Sequence, residues 1–569
     1  MRIICLGGGP AGLYFSIQAR LARPDWEVTV VERNRADDTF GWGVVFSDQT
    51  MGGFAQADAA SHAEILRNFR HWEEIDVWFR GRRITSGGHG FCGIARMKLL
   101  RILQARAAEL GVVMQHGMEA GDAATLAAEY DLVVGADGAN SATRRRFETD
   151  FSPGIEPRRN RYIWLGTKRK LDAFTFDFRE TPHGWFNLHA YRFDAEMSTF
   201  IVETTEETWR KAGLDHMPQA DSIAYCETLF AERLAGERLI SNASHLRGSA
   251  VWLKFNRILC ERWHHRNVVL IGDAAHTAHF SIGSGTKLAM EDAIALARVL
   301  AATDGSVPER LQRYQEERET EALKLQSAAR NRMEWFENVG RYVHLEPEQF
   351  AYSLLTGSQR LCHDNLRLRD PAYIAGYERW FAARDTAGMP ANNVATTPSA
   401  APLPPMFTPF RLRGLDLRNR VVVSPMAMYS CADGMPSDFH LVHLRARAGW
   451  CRTGDDGNDL RFARGAHHAG LCRPLGRSPA WSLAAHRAVR ACADPGEDRH
   501  PAGSCRAERL DAAGLAGDRR TLAGRQLAAD RALGHRLRTA KPGAARDDAR
   551  GHGPRGRRLR GRRAPCRQG

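Results

Sequence analysis

Long apolar runs are missing from this 569-residue chain, and so is any cysteine spacing that speaks for metal or disulfides. No stretch approaches the roughly 20 consecutive apolar residues of a membrane helix, so no membrane partner is expected. The opening MRIICLGGGPAGLYF is apolar but short, and glycine and proline interrupt it, so it lacks signal-peptide anatomy. The 11 cysteines are scattered without a CxxC pair, which leaves no metal site and fits a reduced, cytoplasmic protein.

A further scarcity is confined to one end. From Cys451 to Gly569 there is no Ile, Met or Tyr, one Val and one Lys, against 25 Arg and 12 acids. That segment carries the entire net charge of +14, while the first 450 residues balance 54 basic with 54 acidic side chains. The basic end alone supports a nucleic-acid-binding reading, and the electrically ordinary remainder speaks against a nucleic-acid partner.

What is present begins at the N-terminus. RIICLGGGPAGLYFSIQARLARPDWEVTVVERN reads strand, glycine turn, helix, strand. Gly7, Gly9 and Gly12 fit G-x-G-x-x-G: the first permits a tight turn, the second lets backbone approach a diphosphate, and the third lets helix pack on strand. The helix that follows turns its N-terminal N–H groups toward the phosphates. Glu32 closes the second strand, 20 residues after Gly12, where a carboxylate accepts ribose hydroxyls.

Two more motifs follow strands. DLVVGADGANSATRRRF places Asp137 and Gly138 past one, and NVVLIGDAAHTAHFSIGSGTKLAMEDA places Gly272 and Asp273 past another, with a helix opening near Gly285. In this order and spacing, over about residues 1 to 300, the chain resembles the class A flavoprotein monooxygenases of the p-hydroxybenzoate hydroxylase kind. The resemblance implies an α/β fold: a Rossmann-type FAD domain with an inserted antiparallel-sheet substrate domain. It implies FAD, with NADH or NADPH as reductant and O2 as co-substrate. Carried over, Gly7, Gly9, Pro10, Ala11, Gly12, Glu32 and Arg33 hold the ADP half, and Arg96 stands near the phosphates. Asp137 and Gly138 match a motif shared between FAD and the nicotinamide cofactor. Gly272 and Asp273 serve the ribityl or diphosphate region, and Gly283, Ser284 and Gly285 pass close to the flavin ring. Helix capping is the alternative for Asp273, and loop structure the first reading of His276 and His279, with proton handling second.

The chemistry so implied is oxygen insertion into an electron-rich ring, in which the protein orients and shields while the cofactor reacts. A missing nucleophile triad is therefore no argument against an enzyme. The segments RYIWLGTKRK, AFTFDFRET, GWFNLHAYRF and MSTFIVETT alternate like antiparallel strands, within an inserted sheet over about 158–260. GWGVVFSD, residues 41 to 48, is expected as a loop near the flavin, and Val307 to about Val343 as one long helix.

Two departures sharpen the resemblance. His279-Phe280 stands where most members carry paired prolines, and Lys287 takes the place of an Asn. The stretch is similar to the narrower group of 2-aminobenzoyl-CoA monooxygenase/reductases and salicylyl-CoA 5-hydroxylases, which implies an aromatic acyl-CoA substrate hydroxylated at C5, with His279 and Phe280 on the substrate side. The basic run Arg158, Arg159, Arg161, Lys168, Arg169, Lys170 is read as a solvated strand face first, and as a contact for CoA phosphates second. A lipid reductase or free phenol hydroxylase of the same fold is the enzymatic alternative, and a homodimer is left open.

The monooxygenase is expected to span 1–388 and a Pro/Ala/Thr-rich linker 389–405. Residues 406–445, MFTPFRLRGLDLRNRVVVSPMAMYSCADGMPSDFHLVHLR, resemble the start of an Old Yellow Enzyme FMN barrel, with Arg420 to Ser424 as its first strand. Ser424, Pro425, Met426, Ala427 and Tyr429 match the positions that border FMN there. A complete barrel takes about 250 residues, and residues 446–569 lack the branched apolar side chains to fill one. From Gly449, GWCRTGDDGNDLRFARGAHHAG can be encoded so that the frame one base later reads AGAGLVMTEMTCVSPEGRITPG, which looks like the missing continuation. The expectation is a frameshift between about Leu444 and Gly449, a disordered out-of-frame tail, and no FMN held by the truncated barrel.

Overall fold

Ile3, Ile4, Cys5 and Leu6 are all buried, because β1 (Arg2–Leu6) lies inside a parallel sheet covered on both faces. The computed structural model describes residues 1–39, 41–47, 51–242, 252–302, 304–386, 404–413, 415–417 and 419–421. The chain divides into two units, Met1–Met426 and Ala427–Gly569, and every described residue belongs to the first. Ser424, Pro425, Met426, Ala427, Tyr429 and the arginine-rich segment lie outside the described residues.

Helix α1 (Pro10–Ala22) starts with proline at its first position, where the missing N–H is no loss. It leads to β2 (Glu27–Glu32), which pairs parallel with β1. The segment Gly43–Ser47 forms β3 rather than the expected loop, because Val44, Val45 and Phe46 are buried and its backbone pairs with a later strand. That partner, β4 (Phe91–Ala95), runs antiparallel to it and feeds helix α2 (Arg96–Glu109). Strand β5 (Leu132–Gly135) packs on the other side of β1, and β6 (Val268–Leu270) lies beyond β5, both parallel.

A second sheet of eight strands carries the expected alternating segments, now with bounds: Pro153–Thr167, Phe174–Thr181, Gly184–Arg192 and Ser198–Thr205. Ile75–Phe79 and Arg82–Ser86 extend the same sheet, although they lie outside the expected insert. Each inner strand splits its side chains by parity. Ile163, Leu165, Phe186, Leu188, Phe200 and Val202 pack under the helix Gln219–Leu229, with Cys226 and Phe230. Asn160, Tyr162, Asn187, His189, Ile201 and Glu203 alternate with them and so take the opposite face.

Helix α3 (Gly285–Ala301) opens at the expected glycine, and α4 (Val307–Glu337) runs 31 residues from a Ser306–Glu309 capping box. It stops at Glu337, six residues before the expected Val343, where Val339–Arg341 tightens into a 3-10 turn. The final helix is Pro371–Thr386, and the helices Pro347–Thr356 and His363–Arg369 precede it. Arg420 and Val421 are not in a strand; the rest of that expected barrel strand lies outside the described residues. Among the described residues no helix is long and apolar enough to cross a membrane.

Candidate functional site

Three motifs far apart in sequence end at one edge of the parallel sheet. The glycine turn follows β1, Asp137-Gly138 follows β5 and Gly272-Asp273 follows β6, and these strands are neighbours in the order β6-β5-β1-β2. The carboxyl edge of such a sheet is where open α/β folds hold ligands.

The glycine turn is built as its spacing requires. Gly7 has φ +113°, and a Cβ there would stand 2.4 Å from the Ala136 carbonyl oxygen. A Cβ on Gly12 would stand 2.1 Å from the Gly7 oxygen and 2.9 Å from Cys5 Sγ, so α1 crosses β1 only because that side chain is absent. At Gly9 a Cβ would meet no atom within 4 Å, so the backbone there faces open space. Pro10 and Ala11 are buried in the first turn of α1, and Arg33 is exposed. Glu32 holds the turn from the other side: Oε2 accepts from Gly8 N–H at 2.7 Å, and Oε1 from Asn34 N–H and Nδ2, each at 2.8 Å.

Asp137 faces inward to the chain. Its Oδ2 accepts from Thr143 N–H at 2.9 Å and Thr143 Oγ1 at 3.0 Å, and its Oδ1 from Ser141 at 2.5 Å. Gly138, at φ +76°, has nothing within 4 Å of its Cβ position. Sequence reasoning missed Arg144, whose Nη1 donates to the Ala274 oxygen at 2.8 Å and Nη2 to the Ala139 oxygen at 2.5 Å. It ties the second motif to the third.

Gly272, at φ +59°, lies under α3 with Ala289 and Ala11 about its Cβ position. Its N–H donates to Asp292 at 3.1 Å. Asp292 also lies 2.9 Å from His276 Nε2 and accepts from Arg318 Nε at 3.0 Å. His276, fully buried and packed on Trp263 at 4.5 Å, therefore belongs to the support of the loop. Asp273 is exposed at the edge. The protein ringing that carboxyl raises its pKa through desolvation, and the Arg96 guanidinium opposes the rise. Arg96 opens α2 across from it; desolvation lowers its pKa, opposed by Asp273 and Tyr191. Its Nε is buried with no partner among the described residues.

Past Asp273 the loop turns toward the second sheet. His279 caps the short turn Phe280–Ile282: its Nδ1 lies 2.8 Å from Ser281 Oγ and 3.3 Å from the Ser281 amide. Burial lowers its pKa to about 4, with Glu203 opposing, so the ring is neutral near pH 7. Gly283 takes φ +61° against Val45 of β3, Ser284 caps α3, and Gly285 begins it. Lys287 pairs with Glu291 at 2.6 Å.

Phe280 packs on Tyr162 at 4.7 Å and on His189 at 5.6 Å. Below them Glu203 is fully buried, accepting from Asn160 Nδ2 at 2.7 Å and lying 2.9 Å from His189 Nε2. Burial pushes the Glu203 carboxyl up, but the His189 bond and charge outweigh it and leave the pKa lowered. Nothing in the local sequence marks Glu203 or His189; strand parity is the signal that places both on this face. The basic run divides: Arg158 is buried and paired with Glu337 at 2.6 Å, Arg161 stacks over Trp209 at 4.6 Å, and Arg159, Lys168, Arg169 and Lys170 are exposed.

The edge fits a dinucleotide on the structure's own terms: open space at Gly9, an unpartnered Arg96 Nε and an exposed Asp273. Comparison with known proteins agrees. Residues 1–329 match the family of the FAD binding domain. A salicyloyl-CoA 5-hydroxylase from a Streptomyces species is 40% identical over 444 residues, 76% of this chain and 81% of that protein. A 3-hydroxy-4-methyl-anthranilyl-(aryl-carrier protein) 5-monooxygenase from Streptosporangium sibiricum is 37% identical over 337 residues, 59% of this chain and 89% of that protein. An NADPH dehydrogenase from Geobacillus thermodenitrificans is 51% identical over 45 residues, 8% of this chain and 13% of that protein. The chain belongs to the FAD-binding-domain family and is an FAD-dependent aromatic monooxygenase that draws its electrons from NAD(P)H.

Proposed function

We propose that this enzyme hydroxylates an aromatic acyl-CoA thioester, 2-aminobenzoyl-CoA or salicylyl-CoA, at ring carbon 5. The observation that carries the proposal is the aromatic wall of Tyr162, Phe280 and His189 beside the motif edge. A flat, electron-rich ring stacks there, and the likeness to the Streptomyces hydroxylase supports the thioester. FAD, when bound, would pass electrons from NAD(P)H to O2, so that one oxygen atom of O2 enters the ring and the other leaves as water.

In this reading the chain's residues bind, orient and shield. The Gly7–Gly12 turn and the start of α1 offer N–H groups to the diphosphate, and Glu32 keeps lone pairs for the ribose. Arg33 stays at the exposed rim of that half. Arg96 donates to phosphate oxygens from one wall, and Asp273 accepts a hydroxyl from the other. Asp137 positions Gly138 rather than touching the ligand through its own carboxylate. The Gly283–Gly285 backbone lets the ring system approach, with Val45 behind it. His279 stays neutral and shapes the loop that carries Phe280.

We further propose that residues 406–445 are the cut-off start of an FMN barrel and that residues 446–569 are read out of frame. The 45-residue likeness to an NADPH dehydrogenase supports the first point, and the missing branched apolar side chains support the second. If no single-base change in the gene restores the barrel reading, the frameshift fails. The substrate is tested with purified chain, its flavin spectrum and NADH-dependent oxygen uptake with both CoA thioesters. No stimulated uptake with any aryl-CoA defeats it.

A further inference from the structure

Helix α4 carries a buried cation with no counter-charge among the described residues. Arg332 is 8% exposed. Neither its Nε nor its Nη1 has a hydrogen-bond partner among the described residues. The other buried arginines nearby are matched: Arg318 with Asp292 and Glu291, Arg158 with Glu337. Desolvation, with nothing opposing it, lowers the Arg332 pKa to about 10. An unpaired charge inside a protein is costly, and buried donors are almost always satisfied. With no partner among the described residues, this one is open to an acceptor that arrives with a ligand.

Its position says what arrives. Arg332 lies one turn before Phe336 and so on the same helix face. The Phe336 ring is 4.5 Å from His189 and 5.9 Å from Phe176. On the other side Arg332 acts on His89, whose pKa is lowered to about 4 by desolvation, with Arg369 and Arg332 adding to the fall and Asp370 opposing it. Asp370 is itself engaged, by Gly87 N–H at 2.7 Å and Tyr373 N–H at 2.9 Å. His89 stacks on Phe91 at 6.1 Å, and Phe91 meets Phe174 at 6.1 Å. The guanidinium thus belongs to a wall of rings on the Glu203 face of the sheet. Two more buried atoms of that face lack partners among the described residues, His189 Nδ1 and Asn187 Oδ1.

We propose that Arg332 binds the acyl oxygen of the aromatic substrate, an acceptor conjugated to the ring, as thioester carbonyl or as free carboxylate. The planar guanidinium donates in the plane of that group and so fixes the ring's rotation. This rests on the aryl-acyl reading of the substrate. It adds a specificity residue that lies outside the motifs.

The test uses the FAD-loaded full chain and the variants Arg332→Met and Arg332→Lys. Salicylyl-CoA, salicylate and phenol are titrated while flavin absorbance is followed. Arg332→Met is expected to weaken the acyl ligands about 10- to 100-fold, the worth of a charge-assisted bond, and to leave phenol unchanged. Arg332→Lys is expected to recover part. Loss confined to salicylyl-CoA marks a thioester carbonyl. If wild type binds salicylate but no thioester, and Arg332→Met loses it, Arg332 stands and the CoA reading falls. Unchanged acyl binding, or an equal loss of phenol binding, overturns the inference. So does wild type that binds neither acyl ligand, which also removes the aryl-acyl reading. Melting separates binding from folding: removing an unpaired buried charge is expected to hold or raise Tm. A fall of several degrees in Arg332→Met marks a structural role and refutes the assignment.

Discussion

A single methyl group at Gly9 and at Gly12 separates what the glycine turn does for the fold from what it does for the cofactor. At Gly12 the new Cβ would lie 2.1 Å from the Gly7 oxygen, and backbone cannot swing aside as a flexible side chain would. Relief requires α1 to move off β1, and overpacking of this kind costs about 1–3 kcal/mol or more. At Gly9 the Cβ meets nothing within 4 Å, and φ −76°, ψ −179° is ordinary backbone for alanine. Two small terms oppose each other there. Gly9 is the N-cap of α1, a position where alanine is poorer by roughly 0.5 kcal/mol. The unfolded chain meanwhile loses freedom worth about 0.4–1 kcal/mol. Gly9→Ala is therefore expected to melt as wild type, within about 0.5 kcal/mol. Its methyl occupies the space proposed for the diphosphate, so FAD affinity is expected to drop at least tenfold, about 1.4 kcal/mol. The assay is thermal melting of the apoprotein with FAD titration by fluorescence quenching. Gly12→Ala should lower both readouts and Gly9→Ala only the second. If Gly9→Ala binds FAD as tightly as wild type, no diphosphate approaches that backbone and the reasoning is refuted.

His279 has its pKa lowered to about 4 from 6.5, so between these values the unfolded chain takes up a proton that the fold refuses. Stability is expected to fall by up to about 3 kcal/mol as pH drops through that window and to level off below it. His279→Asn should flatten part of the fall in urea unfolding, His89 supplying another part with the same sign; an equally steep curve would count against the burial argument. Glu203→Gln breaks a buried pair with His189 and is expected to cost roughly 3 kcal/mol in chemical unfolding while FAD content stays whole. A loss under 1 kcal/mol would show the pair to be weak. Cofactor released by heating the full chain is expected to be FAD without FMN, and a gene with the frame restored should yield both; FMN from the unrestored chain would contradict the truncated-barrel proposal.

The motif edge, proposed above to face the phosphates, was legible because a tight strand–turn–helix constrains backbone. Gly7 must be glycine for contact and φ and Gly12 for contact, while Gly9 leaves its backbone facing open space, and their spacing follows from one strand–turn–helix. The helix starts at Pro10 and Gly285 were readable for the same local reason. Errors fell where long-range pairing overruled local pattern. The glycines of GWGVVFSD spoke for a loop, but the run from Val44 to Phe46 is buried and pairs with residues nearly fifty positions on, so it is a strand. Arg158 read as one of a solvated run, yet a bulge between Pro157 and Arg161 breaks the pairing of its strand with Leu253–Cys260, and Glu337 from the end of α4 neutralises it inside. Asp137 stands at the end of its strand as its motif requires, and its oxygens accept from Ser141 and Thr143 at the start of the following helix.

The substrate side resists reading for a different reason. As proposed, it is assembled from His89, His189, Glu203, Phe280 and Arg332, one or two from each of several elements, with no fixed spacing among them. Each alone has an ordinary explanation: a strand histidine, a strand glutamate, one more arginine on a helix rich in them. Only the fold reveals that Glu203 is paired and that Arg332, among the described residues, is not, and that difference is chemical. A satisfied buried charge holds a wall in place, while an unsatisfied one defines what must come to meet it. The residues proposed to choose the ring lie on strands and on α4, where a substitution leaves the glycine turn untouched, and exchanging Arg332 should alter which acyl aromatic is accepted without altering how FAD is held.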